Sequence, residues 1–262
     1  THADRRREPM PERFTRPLTL IWNAPPILFA LTMLFWSGNM LLGKAMAHHI
    51  PPVAMAQMRW SLALVLLLPF AYRALLADWA VVRRRLPFLA LLGLLGISGY
   101  NTLVYKGLET TTAVNAALIG AGFPMVIAAI GFALYRDRLT LMQVAGILTT
   151  CAGAAIILSN GDVTVFTEFR FVPGDLWIIA AQIAYAAYTV ILRDRPSIHP
   201  LTLLLVTVFF GQLFLVPFTI GEAMAGHTVP WSLTTAIVVL YLAIFPALLA
   251  FMFFNRAVKL VG

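Results

Sequence analysis

Long uninterrupted runs of apolar residues, separated by short polar stretches, dominate the pattern along the chain. A helix needs about 20 apolar residues to cross the roughly 30 Å hydrocarbon core of a bilayer. The runs do not alternate apolar with polar positions as barrel strands do. The pattern therefore predicts an all-α polytopic membrane protein. Eight transmembrane helices are predicted, at residues 25–46, 52–72, 86–105, 111–135, 141–158, 175–192, 201–220 and 233–255.

The composition excludes the soluble classes of protein. Hydrophobic residues make up 60% of the 262 residues and charged residues only 11%, whereas soluble domains carry about 25% charged residues. A soluble fold of this size cannot cover so much apolar surface with polar groups. The single cysteine, Cys151, lies inside an apolar run, so an intramolecular disulfide is excluded.

The net charge of +8 is distributed by side of the membrane. Fifteen of the 19 lysine and arginine residues fall in the N-terminal tail, in every second connection or at the end of the eighth span. The positive-inside rule assigns these segments to the cytoplasm. It predicts a cytoplasmic N-terminus in a plasma membrane, typically a bacterial inner membrane. No nucleic-acid partner is expected, because that would need a basic face on a folded domain.

Landmarks in the first half of the chain recur in the second half at a nearly constant distance. The offsets are 148 to 150 residues and relate residues 36–44 to 185–193, Ile50 to Ile198, Pro69 to Pro217 and Tyr105 to Asn255. Because the first unit contains five spans, an odd number, the second unit would enter the membrane inverted. Inverted repeats of this kind are typical of secondary transporters.

The repeat predicts four segments. They are a basic cytoplasmic tail at 1–24, a first five-helix unit at 25–160, an external connection at 161–173 and a second, three-helix unit at 174–262. A complete second unit would add two spans, so we expect a truncated ten-span protein. A true eight-span protein is the alternative. The first run is longer than a signal-peptide core, which favours a retained span.

Several short motifs occur in an order that is specific in combination. They are Phe35-Trp36-Ser37-Gly38-Asn39 followed by Lys44, Met58-Arg59-Trp60, Tyr105-Lys106-Gly107-Leu108, the small-residue stretch 111–124, Arg136-Asp137-Arg138-Leu139-Thr140 and a glycine-rich fifth span. In this order they resemble the drug/metabolite transporter superfamily, specifically its EamA-type members. That family usually has Glu where Asp137 stands, and usually ten spans. The resemblance covers residues 25–262 and implies a carrier for small metabolites, often an exporter of amino acids or similar solutes.

Polar and aromatic side chains inside the spans are candidates for lining a solute cavity, because polar groups are costly in hydrocarbon. Trp36 and Asn39 share one face of the first helix, and Asn101 and Tyr105 share one face of the third. Hydrogen bonding between helices and an interfacial aromatic belt are the alternatives. The predicted cavity residues are Trp36, Asn39, Tyr100, Asn101, Tyr105, Gln182, Tyr185, Tyr188 and Asn255.

Arg59 and the fourth span have separate predicted roles. Arg59 is a candidate anion or gate residue, with snorkelling to the interface as its alternative. Snorkelling is the favoured interpretation of Lys44 and Lys106, the latter close to Glu109. The predicted hinge consists of Gly120, Gly122 and Pro124, since proline removes a backbone hydrogen bond and glycine permits close approach; helix packing is the alternative. No acidic residue is expected deep in a span.

The predicted function is secondary transport of small metabolites such as amino acids, by alternating access, with export as the expected direction. The solute would sit between the first, third, sixth and eighth spans. An intramembrane enzyme acting on lipid-borne substrates and a non-transporting scaffold are the alternatives. No catalytic residue, cofactor or metal is predicted: no phosphate-binding glycine loop occurs, and adjacent His48 and His49 suit a metal poorly. The expected partners are a small-molecule solute and the lipid bilayer.

Overall fold

A computed structural model describes residues 21–46, 49–159, 162 and 171–261, without the side chains of Met40, Lys44, Ala113 and Leu158. Every regular element in these ranges is helical. The described part of the chain is therefore a polytopic all-α protein, as the hydropathy pattern predicts. The predicted roles of the basic tail, of the Lys44 side chain and of most of the 161–173 connection lie outside the described residues.

Eight helical stretches follow one another within the described residues, numbered here α1 to α8. They are α1 Pro25–Met46, α2 Pro52–Arg84, α3 Leu86–Leu108, α4 in two parts Ala113–Ala121 and Phe123–Tyr135, α5 Leu141–Ser159, α6 Pro173–Ile191, α7 Pro200–Met224 and α8 Leu233–Val261. Six of them are long and apolar enough to cross a membrane, and the two parts of α4 taken together make a seventh. The apolar stretch Leu141–Ile157 of α5 is shorter. The prediction of eight spans thus exceeds the six or seven that qualify.

Helix α2 continues 12 residues beyond its predicted end, from residue 72 to Arg84. The added residues are mostly alanine, leucine and arginine, which have high helix propensity. Arg83 and Arg84 occupy the last turn, where cations interact favourably with the helix dipole. The prediction was wrong because hydropathy marks the apolar stretch that suits a membrane and does not mark the end of the helix.

Interruptions of the helices recur at the predicted repeat distance. One π-helical turn, Leu94–Gly99, lies within α3, and a second, Ala243–Leu249, lies within α8, 149 residues later. Pro69 lies inside α2 and Pro217 inside α7, 148 residues later. The division into two units stays a prediction, which these features support.

The helices pack in pairs that the repeat interchanges. Helix α1 packs against α8, α3 packs against α6, and α2 packs against α7. The repeat relates α1 to α6, α2 to α7 and α3 to α8. Exchanging the two units therefore converts the α1–α8 contact into the α6–α3 contact and leaves the α2–α7 pair unchanged. Helices α2 and α7 form one of the most extensive contacts between two helices in the described part of the chain.

Helices α2 and α7 also cap each other. Glu222 of α7 accepts hydrogen bonds from the backbone N–H of Val53 (3.2 Å) and of Ala54 (2.7 Å), in the first turn of α2. Asp78 of α2 accepts one from the backbone N–H of His199 (2.8 Å), the residue before α7. Both helices begin with a proline, which has no N–H to satisfy. Each carboxylate thus fixes the register of its own helix against the start of the other.

Close approach of α3 and α6 depends on two glycines. A Cβ atom on Gly174 would lie 2.5 Å from the carbonyl oxygen of Gly107, and one on Gly107 would lie 2.7 Å from the Ile178 side chain. Any larger residue would push the two backbones apart, as expected where small residues line a helix interface in a membrane. This contact brings the aromatic face of α6 against α3.

Removing the cap on α2 should destabilise the fold. In Glu222→Ala, the N–H groups of Val53 and Ala54 lose their acceptor, which costs about 0.5–2 kcal/mol for a helix cap. We expect an apparent melting temperature in detergent lower by about 2–4 °C for each kcal/mol lost. Glu109→Ala, which removes an exposed carboxylate, is the control. Equal melting temperatures for the two variants would contradict the proposed role of the cap.

Candidate functional site

A cavity of about 190 Å³ lies at the centre of the helices. The lining residues come from α1, α2, α3, α4, α6 and α8, so α2 and α4 contribute in addition to the four spans predicted. They are Met33, Trp36, Asn39, Arg59, Tyr100, Asn101, Gly120, Phe123, Gln182, Tyr185, Pro246 and Phe251.

A hydrogen-bonded group of Arg59, Asn39 and Asn101 forms one side of the cavity. The terminal nitrogens of Arg59 on α2 donate to the side-chain oxygens of Asn39 on α1 and Asn101 on α3. Asn101 in turn donates its amide to the backbone oxygen of Ile97. These bonds join three helices through one guanidinium and fix its orientation.

The Arg59 side chain is buried with only neutral partners. The residue is 4% exposed, and its guanidinium lies 5.2 Å from the centre of the Trp60 ring. In the described part of the chain, its Nε has no hydrogen-bond partner. A buried guanidinium keeps its charge, and an unpaired buried charge is unfavourable. Snorkelling does not describe this side chain, because it points into the protein.

Aromatic rings form much of the remaining cavity wall, with Tyr185 of α6 at their centre. Its ring centre lies 4.8 Å from that of Tyr100, 5.5 Å from that of Trp36, 5.8 Å from that of Phe123 and 6.3 Å from that of Phe251. These separations lie within the usual range for interacting aromatic pairs. These rings therefore form one contiguous aromatic group in the lining of the cavity, which also contains Arg59.

The two π turns place backbone carbonyls beside the cavity. Asn101 donates to the oxygen of Ile97 in the first turn, and Trp36 donates through Nε1 to the oxygen of Pro246 in the second, at 3.3 Å. Ile97 and Pro246 are 149 residues apart, so they are equivalent positions in the predicted repeat. Short π-helical insertions often mark functional sites. In each of these two π turns, one backbone carbonyl accepts a hydrogen bond from a side chain that lines the cavity.

Eight of the predicted residues meet at this cavity. They are Trp36, Asn39, Arg59, Tyr100, Asn101, Gly120, Gln182 and Tyr185. The prediction missed the apolar part of the lining, because apolar residues carry no distinguishing signal within an apolar helix. The missed residues are Met33, Phe123, Pro246 and Phe251.

Tyr188 and Asn255 lie behind the cavity wall and do not line it. The Tyr188 hydroxyl donates to the side-chain oxygen of Asn255 at 2.8 Å, and both residues are buried. The three-residue spacing correctly places Tyr188 near Tyr185, at 5.3 Å between ring centres. Its ring, however, packs over Gly96, where the missing side chain leaves room. The pair supports the aromatic wall from behind.

Tyr105 is also absent from the lining. It is buried in the hydrophobic core one turn beyond Asn101. It is therefore neither a cavity residue nor a member of an aromatic belt at the membrane interface. Lys106 differs, since its Nζ forms an exposed ion pair with Glu109 at 2.7 Å, as the snorkelling interpretation expects. Among the described residues, no group of three or more His, Cys, Asp or Glu side chains is placed to hold a metal.

Helix α4 is bent at the predicted hinge. Its two parts meet at an angle of 40°. Gly122 separates them, and Pro124 stands near the start of the second part, where a missing N–H is tolerated. Gly120 faces the cavity, whereas Gly122 and Pro124 do not line it. The bend agrees with the hinge prediction, and movement about it stays a prediction.

Asp175 is a functional candidate that the sequence interpretation missed. It is fully buried in the first turn of α6, at the end of the span and not deep within it. Its carboxylate accepts hydrogen bonds from the Thr111 hydroxyl, from the Asn115 amide (3.1 Å) and from the backbone N–H of Val172 (2.9 Å). An acidic residue three positions into a helix is a known capping signal. Asp175 ties the start of α6 to the start of α4.

A second tie joins the other ends of α4 and α6. Arg193 forms an ion pair with Asp137 at 2.5 Å and stacks over the Tyr135 ring at 4.1 Å. The Tyr135 hydroxyl donates to Asp194. These groups are partly exposed, in contrast to Asp175. The cavity and the α4 bend lie between the two ties.

The sequence profile of the EamA-like transporter family matches residues 24–159 and 172–262. This chain belongs to that family. The resemblance drawn from the motifs is confirmed. The prediction of an integral membrane protein with several apolar spans is also confirmed. Family membership supports a transporter of small solutes in contact with membrane lipid.

Curated relatives carry compatible names. An uncharacterized transporter, YyaM, of Bacillus subtilis (strain 168) is 25% identical over 87% of this chain and 75% of its own length. YetK, an uncharacterized transporter of the same organism, is 26% identical over 86% and 68%. A probable terminal-alkyne amino-acid exporter of Streptantibioticus cattleyicolor is 28% identical over 67% of this chain and 57% of its own.

A solved crystal structure shares the fold of this EamA-like transporter. The two chains superpose with a TM-score of 0.70, over 90% of this chain and 79% of the other, at 20% sequence identity. At that identity the likeness concerns the arrangement of helices. It shows that the same overall fold occurs in a protein with a distant sequence.

Filling the space beside Tyr188 should disturb the cavity wall. In Gly96→Ala, the new Cβ would lie 2.6 Å from the Tyr188 ring, so the ring must move and its bond to Asn255 is strained. Overpacking of this kind costs about 1–3 kcal/mol, measurable as a lower apparent melting temperature in detergent. Gly146→Ala is the matched control, because no atom lies within 4 Å of its Cβ. Unchanged stability in Gly96→Ala would refute this packing.

Proposed function

We propose that this protein is a secondary transporter that exports small metabolites, such as amino acids or related solutes, by alternating access. The observation that carries the proposal is the cavity of about 190 Å³, which helices from both predicted units surround. A site at the interface of inverted repeats can face either side of the membrane when the units move relative to each other. The relative named as an amino-acid exporter supports the direction and the solute class.

In the proposed cycle, α4 is the moving element. It is joined to α6 by Asp175 at one end and by the Asp137–Arg193 pair at the other. Release of one tie, with bending at Gly122, would open that end of the cavity while the other end stays closed. The Gly120 and Phe123 positions on either side of the bend would carry the movement to the bound solute.

The proposed location is the plasma membrane, with the N-terminus in the cytoplasm. The support is the distribution of basic residues, which places Arg136 and Arg193 on the same side as the tail. The Asp137–Arg193 tie would then lie at the cytoplasmic end and Asp175 at the external end. Export would begin with release of the first tie and finish with release of the second.

Two other functions are supported less well. A scaffold without transport would be expected to have a filled centre, in contrast to the cavity lined by Arg59, Gln182 and aromatic rings. An intramembrane enzyme would need acid, base or nucleophile groups at the reacting centre. The lining residues offer no carboxylate, histidine or cysteine for that chemistry.

Truncation of the aromatic wall should impair transport. Tyr185→Ala removes the ring that contacts Tyr100, Trp36 and Phe123, so a solute loses its main apolar surface. We expect about tenfold weaker apparent affinity, which corresponds to about 1.4 kcal/mol. Solute efflux from proteoliposomes containing the full-length protein measures it.

The control for that experiment is Tyr72→Ala, since Tyr72 is exposed on the outer surface of α2. It removes an identical side chain away from the cavity and should leave efflux unchanged. Wild-type efflux with Tyr185→Ala would contradict the assignment of the cavity as the transport site. Failure of the wild-type protein to move any metabolite would contradict the transport proposal itself.

Weakening the Asp137–Arg193 tie should open one end of the cavity. Arg193→Gln removes the ion pair, and we expect up to about fivefold faster labelling of Gly120→Cys by an impermeant maleimide from the cytoplasmic side, in a Cys151→Ser background. A fivefold change corresponds to about 1 kcal/mol, the upper end of the range of about 0–1 kcal/mol for an exposed ion pair. The swap Asp137→Arg with Arg193→Asp should restore slow labelling. Arg138→Gln, which removes a neighbouring exposed cation, is the control, and equal acceleration by it would exclude a specific tie.

A further inference from the structure

We infer that Arg59 is the recognition site for a carboxylate, and that the cavity selects solutes with a single negative charge and an apolar body. The inference rests on the proposed transport function and narrows its substrate class. An organic monocarboxylate without an ammonium group would satisfy it, including an amino acid whose amine is acylated.

The guanidinium has donors left for a ligand. It carries five N–H groups, and its bonds to Asn39 and Asn101 use one from each terminal nitrogen. The remaining donors are Nε–H and one further N–H on each terminal nitrogen. Two adjacent N–H groups of a guanidinium match the two oxygens of a carboxylate. The two asparagines keep the fork in a fixed orientation, so a ligand need not order it.

The charge balance of the cavity favours an anion. Arg59 is the one charged residue among the lining residues, all of which are described. Both of its partners are neutral amides, so its charge is not compensated within that lining. A solute carboxylate would pair the charge in surroundings where electrostatic interactions are strong. The ammonium of a zwitterion would be held near Arg59 without a carboxylate in the lining to receive it.

The position of Arg59 limits the ligand to one carboxylate. The 148-residue offset that relates Pro69 to Pro217 places Thr207 at the position equivalent to Arg59. The predicted repeat thus supplies no second cation on the opposite side. Besides Arg59, the cavity lining offers the rings of Trp36 and Tyr185. A dicarboxylate would place its second charge against this aromatic surface, whereas an apolar body fits it.

Four compounds with the same phenyl ring test the selection by charge. They are 3-phenylpropionate, which is anionic, 3-phenylpropanamide, which is neutral, L-phenylalanine, which is zwitterionic, and 2-phenylethylamine, which is cationic. Binding to the purified full-length protein in detergent is measured by calorimetry at pH 7. We expect 3-phenylpropionate to bind at least about tenfold more tightly than each of the others, the value of a charge-assisted pair. Equal binding of the acid and the amide, or no binding of the acid, would overturn the inference.

Variants at position 59 test the residue itself. Arg59→Gln should lose the preference for the acid over the amide, and Arg59→Lys should recover part of it, because a lysine is a point charge without the fork. Lys106→Gln is the control, since it removes an exposed cation outside the cavity. If Arg59→Gln does not yield folded protein, the four-compound series on the wild type still decides. Retention of the full preference in a folded Arg59→Gln protein would overturn the assignment.

Failure of this inference and failure of the transport function are distinguishable. Efflux of 3-phenylpropionate from proteoliposomes is measured beside its binding. Charge-selective binding without efflux would leave the anion site standing and contradict transport. Similar efflux of the charged and uncharged compounds, which persists in Arg59→Gln, would be consistent with transport and would contradict the anion site.

Discussion

The whole arrangement depends on one constraint: within a bilayer, a backbone carbonyl must find its hydrogen-bond donor inside the protein. The π turns in α3 and α8 disturb the regular helical bonding, and Asn101 and Trp36 donate to carbonyls within them. Each of these side chains also lines the cavity. The side chains that bond to the irregular backbone are therefore the same groups that shape the candidate site, and the two turns occupy equivalent positions of the predicted repeat.

Asn101 also links the backbone of the first π turn to the positive charge of Arg59 in the cavity. Because its amide group is committed to Ile97, its oxygen is directed toward Arg59, where it acts with Asn39 to hold the guanidinium. A buried arginine without a charged partner is costly in a membrane protein and typically marks a functional position. Arg59 lies on α2, and the reciprocal caps by Glu222 and Asp78 hold α2 in register with α7.

The sequence predicted the helices and most of the polar lining, because hydropathy and helical spacing are local properties. Trp36, Asn39 and Asn101 could be found as polar groups in apolar spans. The position of Tyr188 could not, since it depends on space left by Gly96 on another helix. Asp175 was missed because its burial results from packing against α4. The end of α2 follows local helix propensity, which hydropathy does not measure.

The two ties between α4 and α6 differ in strength. In the proposed cycle, this difference determines which end of the cavity opens at the lower cost in free energy. The Asp137–Arg193 pair is partly exposed on both sides, and such pairs contribute about 0–1 kcal/mol. The Asp175 carboxylate is fully buried and accepts hydrogen bonds from a hydroxyl, a side-chain amide and a backbone N–H. Hydrogen bonds to a charged group contribute about 1.5–3 kcal/mol each, and breaking them would leave a buried carboxylate uncompensated. Opening at the Asp137 end therefore requires less free energy, so the Asp175 end is the one that needs a compensating interaction, such as a bound solute or entering water, before it opens.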